Sequence, residues 1–262
     1  NMIIARSDYS VEQELVDKIA LFCDVETRAV VPMTTTETLF EVPLLLEEMG
    51  VADFVIKKLN LKKTQNPKLD DWKKLVKEVK REKPSIKIAL VGKYVELQDA
   101  YMSVREALRH ASLSLGVEAE VAWIHSSDLE KGRSWDEIKS ADAILVPGGF
   151  GERGIEGKIL AAQYARENKV PYLGLCLGMQ LMCIEFARNV LGYEDANSTE
   201  FDHSTEHPII DLMLEQRGIS DMGGTMRLGL YPCVLQKDSV AAKAYNKDQV
   251  NERHRHRFEF NN

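Results

Sequence analysis

Cysteine is scarce in this sequence, which carries four in 262 residues: Cys23, Cys176, Cys183 and Cys233. No two of them form a Cys-x-x-Cys pair and their spacing is irregular, which excludes a disulfide framework and a structural zinc site. The pattern fits reduced thiols in a cytoplasmic protein. No apolar run approaches the roughly 20 residues that span a bilayer. The opening Asn1-Met2-Ile3-Ile4-Ala5-Arg6 lacks the basic-then-apolar order of a secretory signal, so no membrane partner is expected. Positive charge is not in excess either. Lys and Arg number 34 against 41 Asp and Glu, a net charge of −7, which repels nucleic acid and anionic membrane. Internal repeats and low-complexity segments are missing. What remains is 44% hydrophobic and 29% charged residues, the balance of a soluble globular chain able to bury a full core. The length suits one large domain, or one domain and part of another.

Along the chain, Ile3 to Ala5 reads as the end of a strand with no obvious partner. Ser10 stands where an N-cap belongs, with Gln13 as its capping-box partner, and Val11, Leu15, Ile19 and Phe22 mark one helical face. Ala29 to Val31 is a short apolar strand. A helix over Val42 to Met49 ends at Gly50, a residue suited to a C-cap. A chain that opens on a bare strand is expected to be the tail of a larger domain. Lys62, Lys63, Pro67 and Lys68 lead into a polar helix, Asp70 to Lys83, with a thin stripe of Trp72, Leu75, Val76 and Val79. The expectation there is a solvated linker helix.

From Ile86 strands and helices alternate. Ile86 to Val91 is followed by a helix carrying Val104, Leu108, Ala111 and Leu115. Then come strands Ala119 to Ile124 and Ala143 to Val146, helix Ile155 to Glu167, strand Val170 to Gly174, and helix Leu177 to Val190. Such alternation predicts an α/β fold with a mostly parallel, doubly wound sheet. Beyond Leu191 the pattern weakens into loops and antiparallel strands around Thr225 to Leu235.

The sharpest chemical feature is Gly174-Leu175-Cys176-Leu177-Gly178, where a strand turns directly into a helix. It is the thiol counterpart of the Gly-x-Ser-x-Gly nucleophile elbow. The turn exposes the sulfur at the carboxyl end of the sheet and at a helix N-terminus, whose partial positive charge favours thiolate. Cys183, by contrast, reads as a buried cysteine packed under a helix. A second glycine-rich turn, Val146-Pro-Gly-Gly-Phe-Gly151, also follows an apolar strand. Its backbone can approach a ligand closely and its amides can stabilise an oxyanion.

These two turns together resemble the class I glutamine amidotransferases. Longer strings narrow the resemblance to the CTP synthase family: Leu145-Val-Pro-Gly-Gly-Phe-Gly151, Gly174-Leu-Cys-Leu-Gly-Met-Gln180, Ala196-Asn-Ser-Thr-Glu-Phe201, Gly223-Gly-Thr-Met-Arg-Leu-Gly229 and Glu252-Arg-His-Arg-His-Arg-Phe-Glu259. The resemblance covers the whole chain. It implies that 1–61 is the C-terminal part of a Rossmann-like, ATP- and UTP-binding synthetase domain, 62–85 an interdomain linker helix, and 86–262 a glutaminase domain. It implies Cys176 as the nucleophile that forms a glutamyl thioester and releases ammonia for amination of UTP to CTP. It further implies that Glu200 holds the glutamine ammonium and Arg257 its carboxylate, as their charges suit. The amides of Gly149 and Leu177 would form the oxyanion hole, with Leu177, Gly178, Met179 and Gln180 along the substrate. Phe150, Arg153 and Glu156, with the Gly223 to Gly229 loop, match the region of GTP activation. Arg28 stands where the family usually has a lysine contacting pyrimidine nucleotide, and reads equally as a surface arginine. ATP and Mg2+ are implied for the complete enzyme, as is a cytoplasmic homotetramer; no cofactor and no metal site is expected in this chain.

Other readings are weaker. Arg253-His254-Arg255-His256-Arg257 is too short a basic run to argue nucleic acid in an acidic chain. His203 and His207 do not form His-Glu-x-x-His and read as a loop pair. The family completes its triad with a His-Pro-Glu segment beyond this run, and its ATP-binding phosphate loop lies near the synthetase N-terminus. Neither is in these 262 residues, so the sequence is expected to be an excerpt that is inactive alone. The alternatives are a regulatory or assembly module that keeps the glutamine pocket, or another class I amidotransferase such as a GMP synthetase or carbamoyl phosphate synthetase component.

Overall fold

The computed structural model describes residues 1–62, 65–219 and 226–261, with Arg227 described by its backbone alone. Lys63 of the lysine-rich stretch, and Gly223, Gly224 and Thr225 of the Gly223 to Gly229 string, lie outside the described residues. The chain divides into two compact units, Asn1–Lys83 and Pro84–Asn262.

In the first unit, β1 (Ile3–Ser7) pairs in parallel with β2 (Val30–Thr34), so the opening strand does have a partner. Between them, α1 (Gln13–Phe22) begins after Glu12, with no side-chain cap; the capping box expected from Ser10 does not form. Its buried residues are Val16 and Ala20, while Leu15 and Phe22 are exposed. Val11 and Ile19 of the expected stripe do pack against this buried pair, so the face is turned toward Val16 and Ala20 and away from Leu15 and Phe22. Helix α2 (Val42–Glu48) ends as expected, with Gly50 at φ 69°. Helix α3 (Val51–Lys58), which the sequence reading missed, follows directly and buries Phe54. Helix α4 (Asp70–Lys80) is not simply solvated: Val76 is buried, and Trp72 donates its indole N–H to the Phe40 carbonyl at 2.7 Å.

In the second unit the strands β3 (Ser85–Gly92), β4 (Glu118–His125), β5 (Ala143–Val146) and β6 (Tyr172–Gly174) form a parallel sheet in the order β4-β3-β5-β6. Alternation along β3 supplies both faces. Ala89 and Val91 join a core with Leu129, Ile138, Ala161 and Ala165, contributed by α6 (Ser126–Glu130), α7 (Trp135–Lys139) and α8 (Ile155–Asn168). Ile88 and Leu90 face Tyr101, Val104 and Leu108 of the segment leading into and along α5 (Met102–Leu115). The doubly wound α/β class is therefore the one observed. On α5 the buried stripe runs on through Ser112, leaving Ala111 and Leu115 exposed, because a polar residue occupied the position that periodicity of apolar residues alone could not select.

Helix α9 (Leu177–Asn189) packs Leu177, Leu181 and Ile184 on Ile155 and Ile159 of α8 and on Ile210. Beyond it lie β7 (Asn197–Ser198), β8 (Pro208–Leu212), β9 (Arg227–Val234), α10 (Val240–Tyr245), β10 (Gln249–His256) and β11 (Phe258–Phe260). β9 and β10 form the antiparallel pair expected in that region; β11 joins β8 antiparallel, and β8 joins β7 in parallel. The sheet material is thus mixed: all parallel in the helix-covered sheet, and mostly antiparallel beyond it, with β7–β8 the parallel exception. Among the described residues no helix is long and apolar enough to cross a membrane.

Candidate active site

Two neighbouring parallel strands, β5 and β6, end side by side, and each releases its glycine-rich turn at the carboxyl edge of the sheet. After β6 the backbone reverses at Cys176 with φ 52° and ψ −109°, a strained conformation for a residue with a side chain. The strain is imposed by contacts. Leu175 donates its N–H to the Val146 carbonyl at 2.9 Å, and the first turn of α9 returns at once to donate to the Cys176 carbonyl, from Met179 N–H at 3.0 Å and Gln180 N–H at 3.1 Å. A Cβ on Gly178 would lie 2.0 Å from the Val146 carbonyl oxygen, and one on Gly174 2.5 Å from the Gly178 backbone. Glycine at both positions lets helix and strands close on each other, and that closure holds the thiol out of the elbow.

The turn after β5 backs onto this thiol. A Cβ on Gly148 would sit 3.9 Å from the Cys176 sulfur, and one on Gly149 would sit 3.6 Å from Leu177. A cavity of about 320 Å3 opens here, lined by Gly149, Phe150, Cys176, Gln180, Glu200, Met226, Arg255, His256, Arg257 and Phe258. It gathers Cys176, Glu200 and Arg257 from three separate parts of the chain, together with the Gly149 turn. Glu200, just past β7, accepts the Gly151 N–H at 3.4 Å. Burial raises its carboxyl above the usual range, against the pull of that N–H and of Lys93. Arg257, between β10 and β11, donates to the Gln216 side-chain oxygen at 2.9 Å, and Gln180 donates to the Phe258 carbonyl at 2.9 Å.

The thiol departs from expectation in one respect. A helix N-terminus favours thiolate, and the Leu177 N–H does act on the sulfur in that direction, as does Lys158. Yet the net shift of Cys176 is upward, because burial against the elbow outweighs both and Glu200 adds to it. Cys176 nevertheless keeps an exposed surface on the cavity side. Cys183 is half-buried, with its sulfur 3.8 Å from that of Met179, and not fully packed away.

Not every expected residue lines this cavity. The Leu177 side chain is in the core, Gly178 lies against β5, and Met179 turns toward Cys183. Arg153 places its guanidinium 5.8 Å from the Tyr94 ring centroid and donates to the Lys93 carbonyl at 3.2 Å. Glu156 pairs with Arg188 at 3.0 Å. Arg28 belongs to the first unit, where it lies 5.4 Å over the Phe54 ring and lines a separate cavity of about 470 Å3. Two lysines escaped the sequence reading. Lys93, 2% exposed at the end of β3, donates to the Phe150 carbonyl at 3.0 Å and also to that of Gly151. Lys158, fully buried on α8, donates to the Pro147 carbonyl at 3.0 Å. Lys158 was detectable in principle, since it occupies the buried helical stripe of Ile155, Ile159 and Ala162. His256, read as a neighbour of the carboxylate ligand, also lines the thiol cavity, its Nε2 2.7 Å from His254 Nδ1.

The family model for class I glutamine amidotransferase matches residues 96–262, and that for the CTP synthase N-terminus matches residues 1–61. The chain belongs to the CTP synthase family of class I glutamine amidotransferases. It is 53% identical to a CTP synthase of Dehalococcoides mccartyi over all of this chain and 48% of that protein. Over all of this chain and 47% of the relative, it is 57% identical to a CTP synthase of Roseiflexus castenholzii. The chain thus spans about half the length of the curated relatives it matches. Among solved structures, the glutaminase domain of Trypanosoma brucei CTPS with bound acivicin superposes with a TM-score of 0.61 at 41% identity, covering 67% of this chain and 68% of that one. The fold of the second unit is accordingly that of a CTP synthase glutaminase.

Proposed function

We propose that in the longer protein Cys176 releases ammonia from glutamine, and that this ammonia aminates an ATP-activated UTP to give CTP. The observation that carries the reading is the single cavity holding Cys176, Glu200, Arg257 and Gly149. Free glutamine bears an ammonium and a carboxylate, which Glu200 and Arg257 match in sign. In this reading the sulfur attacks the side-chain amide carbon. The developing oxyanion is met by the N–H groups of Gly149 and Leu177. The C–N bond then breaks, the nitrogen takes a proton and leaves as ammonia, and water hydrolyses the thioester to glutamate. The base and acid for these steps are assigned by resemblance beyond residue 262; the imidazole that the described residues place in the cavity is that of His256.

The resemblance assigns ATP and UTP to the synthetase portion, of which 1–61 is the C-terminal part, with Arg28 as the candidate nucleotide contact, 62–85 as linker and 86–262 as glutaminase. The described residues contain no group of three His, Cys, Asp or Glu able to hold a metal ion, and Mg2+ is assigned with ATP. GTP activation is assigned to Phe150, Arg153 and Glu156; Phe150 suits it, being 62% exposed at the rim of the thiol cavity. A homotetramer in the cytoplasm completes the reading.

Labelling tests it. Diazo-oxo-norleucine, an electrophilic glutamine analogue, is expected to modify Cys176 ahead of Cys23, Cys183 and Cys233, with protection by glutamine. Peptide mapping that placed the label elsewhere would overturn the assignment. The grip on the carboxylate is tested separately by Arg257→Lys in the full-length polypeptide. Lysine cannot reproduce a bidentate hold, and a lost charged hydrogen bond costs about 1.5–3 kcal/mol, roughly 10- to 150-fold. That loss is expected in kcat/KM for glutamine, with ammonia-dependent CTP formation retained. Equal loss of both activities would move Arg257 to a purely structural role.

A further inference from the structure

A charged side chain with no exposed surface needs a reason to be where it is. Lys158 has none exposed, although it lies on a helix whose other buried residues are Ile155, Ile159, Ala161, Ala162 and Ala165, with Gly157. Its ammonium donates to the Pro147 carbonyl at 3.0 Å and lies 3.7 Å from where a Cβ on Gly149 would be, directly behind the turn that faces Cys176. That hydrogen bond holds the first carbonyl of the turn on the α8 side. The charged groups around it are few. Lys93 approaches from the end of β3 and Cys176 from the elbow, and both act on Lys158 electrostatically. Glu200, past β7, acts on both Lys93 and Cys176, while Arg153 and Glu130 act on Lys93. On α8 itself, Glu156 is turned outward to Arg188. Lys93 is committed to the Phe150 and Gly151 carbonyls, and the cation whose charge opposes the upward shift of the Cys176 thiol is Lys158.

We propose that Lys158 is a positioning residue for the thiol chemistry. From behind the Pro147 to Gly149 turn it anchors the turn against the sheet and supplies the buried positive charge that makes the Cys176 thiolate accessible. The proposal rests on Cys176 being the nucleophile and adds what tunes it. Burial, with Lys93 adding to it, brings the Lys158 ammonium down to about 7 while Cys176 opposes the fall. As pH rises through that value Lys158 loses its charge, and the thiol then becomes harder to ionise; the two titrations oppose each other.

The test is the pH dependence of Cys176 alkylation by iodoacetamide in the full-length polypeptide, read by peptide mapping. In Lys158→Met, labelling at about pH 6, where Lys158 of the unsubstituted protein still carries its charge, is expected to be threefold or more slower, with the gap closing as that charge is lost at higher pH. Equal labelling rates at about pH 6 in a folded Lys158→Met protein overturn the proposal. Should that variant not fold, the unsubstituted protein decides. Opposed titration makes the log rate rise less than tenfold per pH unit between about pH 6 and 8, and a full tenfold rise throughout overturns it. Iodoacetamide needs no glutamine pocket, so a failure of diazo-oxo-norleucine to label Cys176 would count against the glutaminase reading and leave this one standing.

Discussion

Cys176→Ala in the full-length polypeptide is expected to lower glutamine-dependent turnover by about a thousandfold or more, while CTP formation from added ammonia stays within about twofold. Covalent catalysis divides amide cleavage into two easier steps, and without sulfur there is no thioester to divide it. No other thiol can stand in: Cys183 is on the next turns of α9 beside Met179, and Cys233 is on β9. Nothing in the fold should suffer, because alanine keeps the Cβ that already tolerates φ 52° at the elbow. The measurement is glutamate release and CTP formation with each nitrogen source, alongside a melting curve. Retained glutamine turnover in a folded Cys176→Ala protein would remove the nucleophile from its role.

Gly178→Ala is expected to have the largest effect on the fold. The added methyl would meet the Val146 carbonyl oxygen at 2.0 Å and its carbon at 2.8 Å. Neither can retreat easily, since the Val146 carbonyl already accepts the Leu175 N–H and β5 is clasped between β3 and β6. Overpacking against backbone of this kind costs about 3 kcal/mol or more, a melting temperature lower by roughly 6–12 °C in a unit of this size. Gly192→Ala is the control. There the added methyl meets nothing within 4 Å but the residue sits at φ 82°, so only backbone strain of about 1 kcal/mol is expected. A Gly178→Ala protein that melts within 2 °C of the unsubstituted one, an interval below about 1 kcal/mol, would show that α9 can shift away from β5.

Much of this was legible in the chain itself, and the reason differs by element. The parallel strands β3, β4 and β5 are β-branched or apolar runs closed by turns, so their period and their punctuation agree. The elbow was legible because its chemistry demands particular residues in consecutive positions: two glycines that the sheet leaves no room to replace, and a thiol between them. Glu200 and Arg257 were reached through family strings, and no local pattern in the residues around them says that they meet. Half of the stripe expected around α1 and the second half of that on α5 faced outward, because a few apolar residues fit two phases, and burial of Val16, Ala20 and Ser112 was settled by what packs opposite them.

By itself, then, the amino-acid sequence determined the alternating α/β order, the position of the cysteine elbow and the family strings around it, since these depend on residues close together in the chain. Only the tertiary structure decided that Glu200, Arg257 and His256 share one cavity with Cys176, that burial lifts the thiol against the helix N-terminus, and that two lysines lie buried behind the glycine-rich turn after β5. Each of those is a property of groups distant in sequence, set by desolvation and by charges brought within a few ångströms, and none of the three is written in any one segment of the chain.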